Sequence, residues 1–282
     1  MPTKKKLYIG AMSGTSHDAI DVSLISVNKK AIQLDGFESI KMPKNLSDEI
    51  SNTIDKNNIS LTALGSLDKK IGLMFSKAIS RIIEKNVLKN PENIYVGVSG
   101  QTIRHEPNLK SNFSMQIGDP NIISAQTGTT VISDFRNMHI AKGGEGAPLV
   151  PEFHAELFKS KKAPRVIINI GGISNYTHVQ TNGSYFGTDT GPGNSLMDAY
   201  CVNRLAIPFD RNGAIAQKGS VLEKELKKML ACKFFKNKAP KSTGKEIFNF
   251  NFIPKSLLKS NKSDVLATLT ELTAVSIAKA IR

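Results

Sequence analysis

The stretch Tyr8–Leu24, YIGAMSGTSHDAIDVSL, sets an apolar run, then Ser, Gly, Thr and Ser, then two aspartates three residues apart inside a second apolar run. Leu7–Met12 and Ile20–Val27 are apolar and β-branched around a Gly/Ser/Thr turn, the pattern of paired strands with a polar loop at the tip. Such a tip can take an anion, because successive backbone N–H groups converge and glycine removes the Cβ that would block approach. It is no Walker A loop: it lacks GK[ST] and leads into a strand rather than a helix. Without a lysine, phosphate charge would be met by N–H groups, by the hydroxyls of Ser13, Thr15 and Ser16, and by a hard cation on Asp18 or Asp21. That set suits a magnesium nucleotide. On spacing alone, a tight hairpin with solvated polar residues fits equally well.

Around this hairpin the bulk properties set bounds. At 282 residues the chain is long for one core, so two lobes are expected. Net charge is +14, and the pI is near 9.7. The lysines lie in short runs (Lys4–Lys6, Lys159–Lys162, Lys227 with Lys228) without interleaved aromatics, and Trp is absent. A solvated basic surface explains them better than a nucleic-acid groove. Cys201 and Cys232 are far apart, which suggests neither a disulfide framework nor a zinc knuckle. No apolar run is long enough for a signal segment or a membrane span, so a soluble cytoplasmic protein is expected.

Further along, Leu64, Leu67, Ile71, Phe75, Ala78 and Ile82 recur at helical spacing behind Ser60, a candidate N-cap. Asn93–Thr102 reads as a strand running into a glycine-containing loop, and TGTTVISDFR places Asp134 at a strand end. A helix follows Pro151, and Arg165–Val179 is again strand, Gly-Gly turn, strand. This second hairpin suggests two lobes of related plan, residues 1–162 and 163–282, each presenting a glycine-rich tip to a shared cleft. Ser220–Glu223, SVLE, has capping-box form. The last twenty residues make an apolar helix capped by Ser263 or Asp264, and such a helix needs a partner surface.

Several stretches could carry chemistry. TDTGPGNSLMDAY puts Asp189, Gly191 and Gly193 before a helix start at Ser195, where backbone donors favour phosphate; an ordinary helix-entry turn is the alternative. In SDFRNMHIAKGGEGAPL, Asp134 at a strand end is placed to act as a general base, while a structural Asp134–Arg136 pair is the plainer account. PKSTGKE, Pro240–Glu246, looks like part of a P-loop but lacks the upstream glycine, carries Glu246 where Ser/Thr is required, and follows no strand. The five histidines form no metal set: His105-Glu106 lacks the second histidine of HExxH, and His154 sits between Glu152 and Glu156 on a helix.

Taken together, GAMSGTSHDAID, SGQTIRHEP, QIGDPNIIS, DFRNMHIAKGGEGAPLVPEFH, NIGGISN, DTGPGNSLMDAY, PKSTGKEIFN and ATLTELTAVSIA span nearly the whole chain. In this order they resemble the anhydro-N-acetylmuramic acid kinases, bacterial sugar kinases of the actin/hexokinase-like superfamily. The resemblance implies an α/β fold of two ribonuclease H-like lobes around a cleft, with ATP and Mg2+ at its floor. It implies hydrolytic opening of 1,6-anhydro-N-acetylmuramic acid and phosphorylation of O6, in peptidoglycan recycling, with a homodimer left open. By motif, Asp134 is the expected base. The expected phosphate loop is Gly14, Thr15, Ser16, His17, Asp18, Ala19, Ile20 and Asp21, with Asp18 and Asp21 toward the metal. Gly171, Gly172, Asp189, Gly191, Gly193 and Asn194 complete the phosphate and metal surroundings. Gln101, Gln116, Asp119, Arg136 and the Gly143–Pro148 loop, Gly146 included, are expected at the sugar.

The sequence departs from the family pattern at Ala19, usually glycine, at Val98-Ser99, usually Ser or Cys followed by His, and at Glu145, usually Gln. Alanine at position 19 would crowd a loop that needed positive φ there. Family members also continue past the equivalent of Arg282. A C-terminal lobe shortened relative to the family is therefore expected, and the alternative reading is a remnant that binds sugar but not ATP.

Overall fold

The computed structural model describes residues 6–14, 16–28, 31–56, 58–106, 110–244 and 247–282. Thr15 of the hairpin tip, Lys4 and Lys5, Pro107, and Lys245-Glu246 of PKSTGKE lie outside the described residues. The chain forms two compact units, Met1–Ala147 and Pro148–Arg282.

In the first unit β1 (Lys6–Ser13), β2 (Ala19–Val27) and β3 (Ile32–Lys41) form an antiparallel meander, followed by α1 (Lys44–Asp55) and α2 (Leu61–Lys85). Next come β4 (Tyr95–Glu106), β5 (Phe113–Ile117), α3 (Pro120–Thr127), β6 (Thr130–Ile132) and α4 (Phe135–Ala141). The sheet order is β3-β2-β1-β4-β5, with β6 also on β4; β1, β4 and β6 are mutually parallel. That is the ribonuclease H-like order. The long helix forms as its spacing predicts: Leu67, Ile71, Phe75, Ala78, Ile79 and Ile82 are fully buried against Ile9, Ile20, Val22 and Val96. Each large side chain among them contributes roughly 1.5–3 kcal/mol by leaving water. Ser60 caps the helix, its hydroxyl accepting the Ala63 N–H at 3.1 Å.

The second unit holds α5 (Pro151–Phe158) and an antiparallel sheet of β7 (Arg165–Ile170), β8 (Ile173–Val179) and β9 (Tyr185–Pro192). Then follow α6 (Ser195–Tyr200), which runs into a π-turn at Cys201–Leu205, α7 (Glu223–Leu230), α8 (Lys233–Lys236) and α9 (Lys262–Ile281). Helix α5 belongs with this sheet rather than with the first unit: His154 Nδ1 lies 2.9 Å from Thr177 Oγ1 on β8, and Pro151 abuts Gly187 on β9. The expected boundary after residue 162 falls beyond α5, whereas the second unit begins at Pro148.

Two caps differ from expectation. Helix α7 starts at Glu223 without a side-chain cap, because the Ser220 N–H is drawn to Asp264 Oδ1 at 2.7 Å and the Leu222 N–H to Thr268 Oγ1 at 2.9 Å. Helix α9 is capped by Asn261, whose Oδ1 accepts the Ser263 N–H at 2.9 Å. Asp264 is thereby committed to the loop before α7. Among the described residues no helix is long and apolar enough to cross a membrane.

Candidate functional site

The tip between β1 and β2 is built as a braced turn. The His17 N–H donates to Gly14 O at 3.0 Å, and His17 stands in the left-handed region at φ 41°. Its ring bridges two serines one turn apart on α1, with Nδ1 3.0 Å from Ser47 Oγ and Nε2 3.5 Å from Ser51 Oγ. On the other side Gln101, fully buried on β4, accepts the Ser13 hydroxyl at 2.6 Å and donates toward Gly14 O at 3.5 Å. Asp18 is exposed; its Oδ1 accepts the Ser16 hydroxyl, and its carbonyl accepts the Met42 N–H at 2.8 Å. Asp21 is exposed on β2 between Met12 and Ser39, whereas its neighbour Ile20 is wholly in the core. Ala19 opens β2 opposite Lys41, so alanine there takes strand backbone, not positive φ.

A second cluster of the first unit lies around Asp134, also left-handed at φ 61°, at the start of α4. Its exposed carboxylate accepts the Asn137 amide at 2.7 Å, and Asn137 Oδ1 accepts the Ser114 N–H of β5 at 3.1 Å. Gln116 donates to Ser114 Oγ at 2.7 Å, so Asp134 and Gln116 belong to one polar chain. Arg136 is half-buried with no ion pair among the described residues, and burial holds its guanidinium below the ordinary value. His139 takes the Gly146 N–H on Nδ1 at 3.1 Å, and its ring lies so close over Gly144 that a Cβ there would sit 2.2 Å from Nε2. Asp119 caps α3 through the Asn121 N–H at 2.8 Å.

In the second unit the Gly171-Gly172 turn is closed by backbone N–H groups. The N–H groups of Gly193, Asn194 and Ser195 donate to the carbonyls of Gly172, Gly171 and Gly172 at 2.9, 2.8 and 3.2 Å. These are the donors that the sequence reading offered to phosphate; here the neighbouring turn uses them. Asp189 is buried on β9, and the segment after Pro240 lies along it. The Asp189 N–H donates to Lys241 O at 2.9 Å, and its Oδ2 accepts the Thr243 N–H at 2.9 Å and the Ser242 hydroxyl at 3.3 Å. Ser195 Oγ and Thr243 Oγ1 are buried with no partner among the described residues.

Among the described residues no group of three or more His, Cys, Asp or Glu is arranged to hold a metal ion. A cation here would need oxygens from its ligand as well as from Asp18 or Asp21, as a nucleotide-bound magnesium does.

The profile of one protein family, anhydro-N-acetylmuramic acid kinase, matches residues 6–282. The chain belongs to that family. A relative named anhydro-N-acetylmuramic acid kinase from Gamma-proteobacterium EBAC31A08 is 55% identical over 277 residues, covering 98% of this chain and 76% of the relative. One of the same name from Shewanella pealeana is 41% identical over 275 residues, covering 96% and 74%. Among solved structures, an Aquifex aeolicus PPX-GPPA enzyme aligns over 99% of this chain and 94% of its own at 8% identity and TM-score 0.38. A ROK hexokinase from Thermus thermophilus aligns over 67% and 50% at 12% identity and TM-score 0.29.

Within this family member the structure joins residues that the motifs had assigned separately. Gln101, expected at the sugar, braces the β1–β2 hairpin, and Gln116 joins Asp134 through Ser114 and Asn137. Sequence reasoning missed Ser47, Ser51, Asn137 and His139, and gave Lys241–Thr243 no role beyond membership of a family motif that is not a P-loop. Ser47 and Ser51 are spaced i, i+4, but nothing along the chain says that a histidine thirty residues earlier lies over them.

Proposed function

We propose that the chain is an ATP-dependent kinase that opens 1,6-anhydro-N-acetylmuramic acid with water and transfers the γ-phosphoryl group to O6. The products are N-acetylmuramic acid 6-phosphate and ADP, and the setting is cytoplasmic peptidoglycan recycling. The observation that carries this reading is the family match over residues 6–282, together with a relative of that name at 55% identity. No comparison favours the remnant reading.

The residues fit the chemistry. Opening the bridge forms a bond from water oxygen to the anomeric carbon and breaks the bond from that carbon to O6. O6 then takes the phosphoryl group, so phosphorus rather than a second carboxylic acid captures the leaving oxygen. The water proton goes to a carboxylate. Asp134 is the proposed base, held by Asn137 with its carboxylate toward solvent. Gly14–Asp21 binds the nucleotide phosphates, with Asp18 and Asp21 toward Mg2+, which neutralises phosphate charge when bound. Arg136, a half-buried cation without an acidic partner among the described residues, meets the carboxylate of the acid sugar.

A specific observation favours Asp189 as base instead. Its carboxylate is buried and fixed by Thr243 and Ser242, whereas that of Asp134 is exposed. A fixed, desolvated carboxylate is the better-oriented proton acceptor. Asp134→Asn and Asp189→Asn, each assayed for ADP release dependent on anhydro sugar and Mg2+, decide between them. The true base loses about 10²–10⁴-fold in turnover. Absence of sugar-dependent ADP release in the unmodified protein would overturn the whole reading.

A further inference from the structure

The segment Lys241–Thr243 looks like part of a P-loop, yet its three residues are tied to Thr188, Asp189, Phe234 and Asn237. The Lys241 ammonium donates to Phe234 O at 3.0 Å and Asn237 O at 3.1 Å, and lies 4.5 Å above the centre of the Phe234 ring. Phe234 is itself locked edge-on against Phe235 and Phe248. A cation spent on two carbonyls and an aromatic face is costly to desolvate, and burial lowers its pKa accordingly. A purely structural loop could be fastened by apolar side chains at less cost.

What the tether secures is the backbone of Lys241. Its N–H donates to Thr188 Oγ1 at 3.0 Å and its carbonyl takes the Asp189 N–H at 2.9 Å, so one residue pairs with the edge of β9 that β8 leaves open. From that anchor the next two residues reach the Asp189 carboxylate, Ser242 by its hydroxyl and Thr243 by its N–H. Main chain and side chain of Asp189 are thus held by three consecutive residues.

We propose that Lys241–Thr243 is a positioning clamp for Asp189, in which the Lys241 ammonium sets the place of the loop and the loop sets the carboxylate. Lys241 is thus a positioning residue. The inference rests on Asp189 being part of the kinase site, whether toward the metal-nucleotide complex or toward the water.

A double-mutant cycle tests it on the full chain. Lys241→Met, Asp189→Asn and the pair are compared by calorimetric affinity for Mg·ADP and by single-turnover rate with the anhydro sugar. Lys241→Met is expected to lower whichever quantity Asp189→Asn lowers, by about tenfold, and to lower it no further in the Asp189→Asn background. Lys241→Arg, which keeps a cation for the two carbonyls, restores at least part of the loss; Ser242→Ala gives a smaller effect of the same kind. Melting temperatures of all variants separate lost positioning from lost folding. Equal effects of Lys241→Met in both backgrounds, or none in the native one, overturn the clamp. If Asp189→Asn changes neither quantity, it is the placement of Asp189 in the site that fails, and the clamp with it.

Discussion

The two glycine-containing hairpins, β1–β2 and β7–β8, share a plan and differ in what holds them. In the first, side chains brace the tip: Gln101 from the parallel neighbour β4 on one side, and His17 reaching Ser47 and Ser51 of α1 on the other. In the second, three backbone N–H groups at the entry to α6 close the turn, with α9 adding one hydroxyl, Thr273 to Gly193 O at 2.7 Å. A tip braced by side chains can be retuned residue by residue. A tip closed by backbone tolerates almost any side chain, except where the backbones approach too closely for one.

Gly193 is that place, and it gives the largest effect. A Cβ there would lie 2.1 Å from Gly171 O, a backbone atom that cannot swing aside. Gly193→Ala should therefore separate the turn from the helix entry, abolish detectable turnover and lower the melting temperature by several degrees. Wild-type kinetics for this variant would show that the backbone closure is not needed.

The matching change in the first hairpin is Gln101→Leu, which keeps the volume and deletes both hydrogen bonds to the tip. Losing them costs about 1–3 kcal/mol, softened because Gly14 O keeps the His17 N–H at 3.0 Å and Ser13 also reaches Ala19 O at 3.3 Å. Thermal unfolding and Mg·ADP affinity should both fall, affinity more clearly. A variant that melts lower yet binds nucleotide normally would show that the brace does not serve nucleotide binding.

This contrast also marks how far the chain could be read without a structure. The strands of both hairpins, α2 with its Ser60 cap and the existence of α9 were legible because each rests on local periodicity or a local cap. The bracing was not legible. Gln101 and Ser13 are 88 residues apart, and Asp189 and Thr243 are 54 apart, so only tertiary pairing discloses them. The capping box at Ser220 failed for the same reason: a distant carboxylate, Asp264, outcompeted the local one. The Asp189–Asn194 stretch reads along the chain as a helix entry with backbone donors open to phosphate. In the fold it ends a strand whose neighbours use those donors.

The smallest effect distinguishes the units by pH. In the second unit His154 packs on Phe158 with Nδ1 against Thr177, and burial lowers its pKa below the ordinary 6.5. The neutral ring is the one that folding favours, so its contribution is complete above 6.5 and is lost as pH falls from 6.5 through the lower folded value. In the first unit Glu38 is held below the ordinary carboxylate value of 4.5, first by its hydrogen bond from Lys85 and further by the charges of Lys85 and Arg81. Its contribution is present above 4.5 and lost only as pH falls through a still lower value. As pH falls below 6.5, then, the second unit should loosen first, seen as lower amide protection, relative to the intrinsic exchange rate at each pH, in α5 and β8 with protection in α2 and β3 unchanged. His154→Gln, which keeps a partner for Thr177 but does not titrate, should flatten that dependence. If protection in α5 stays pH-independent in the native chain, the histidine is too well solvated to matter, and the two units part company only through their hairpins.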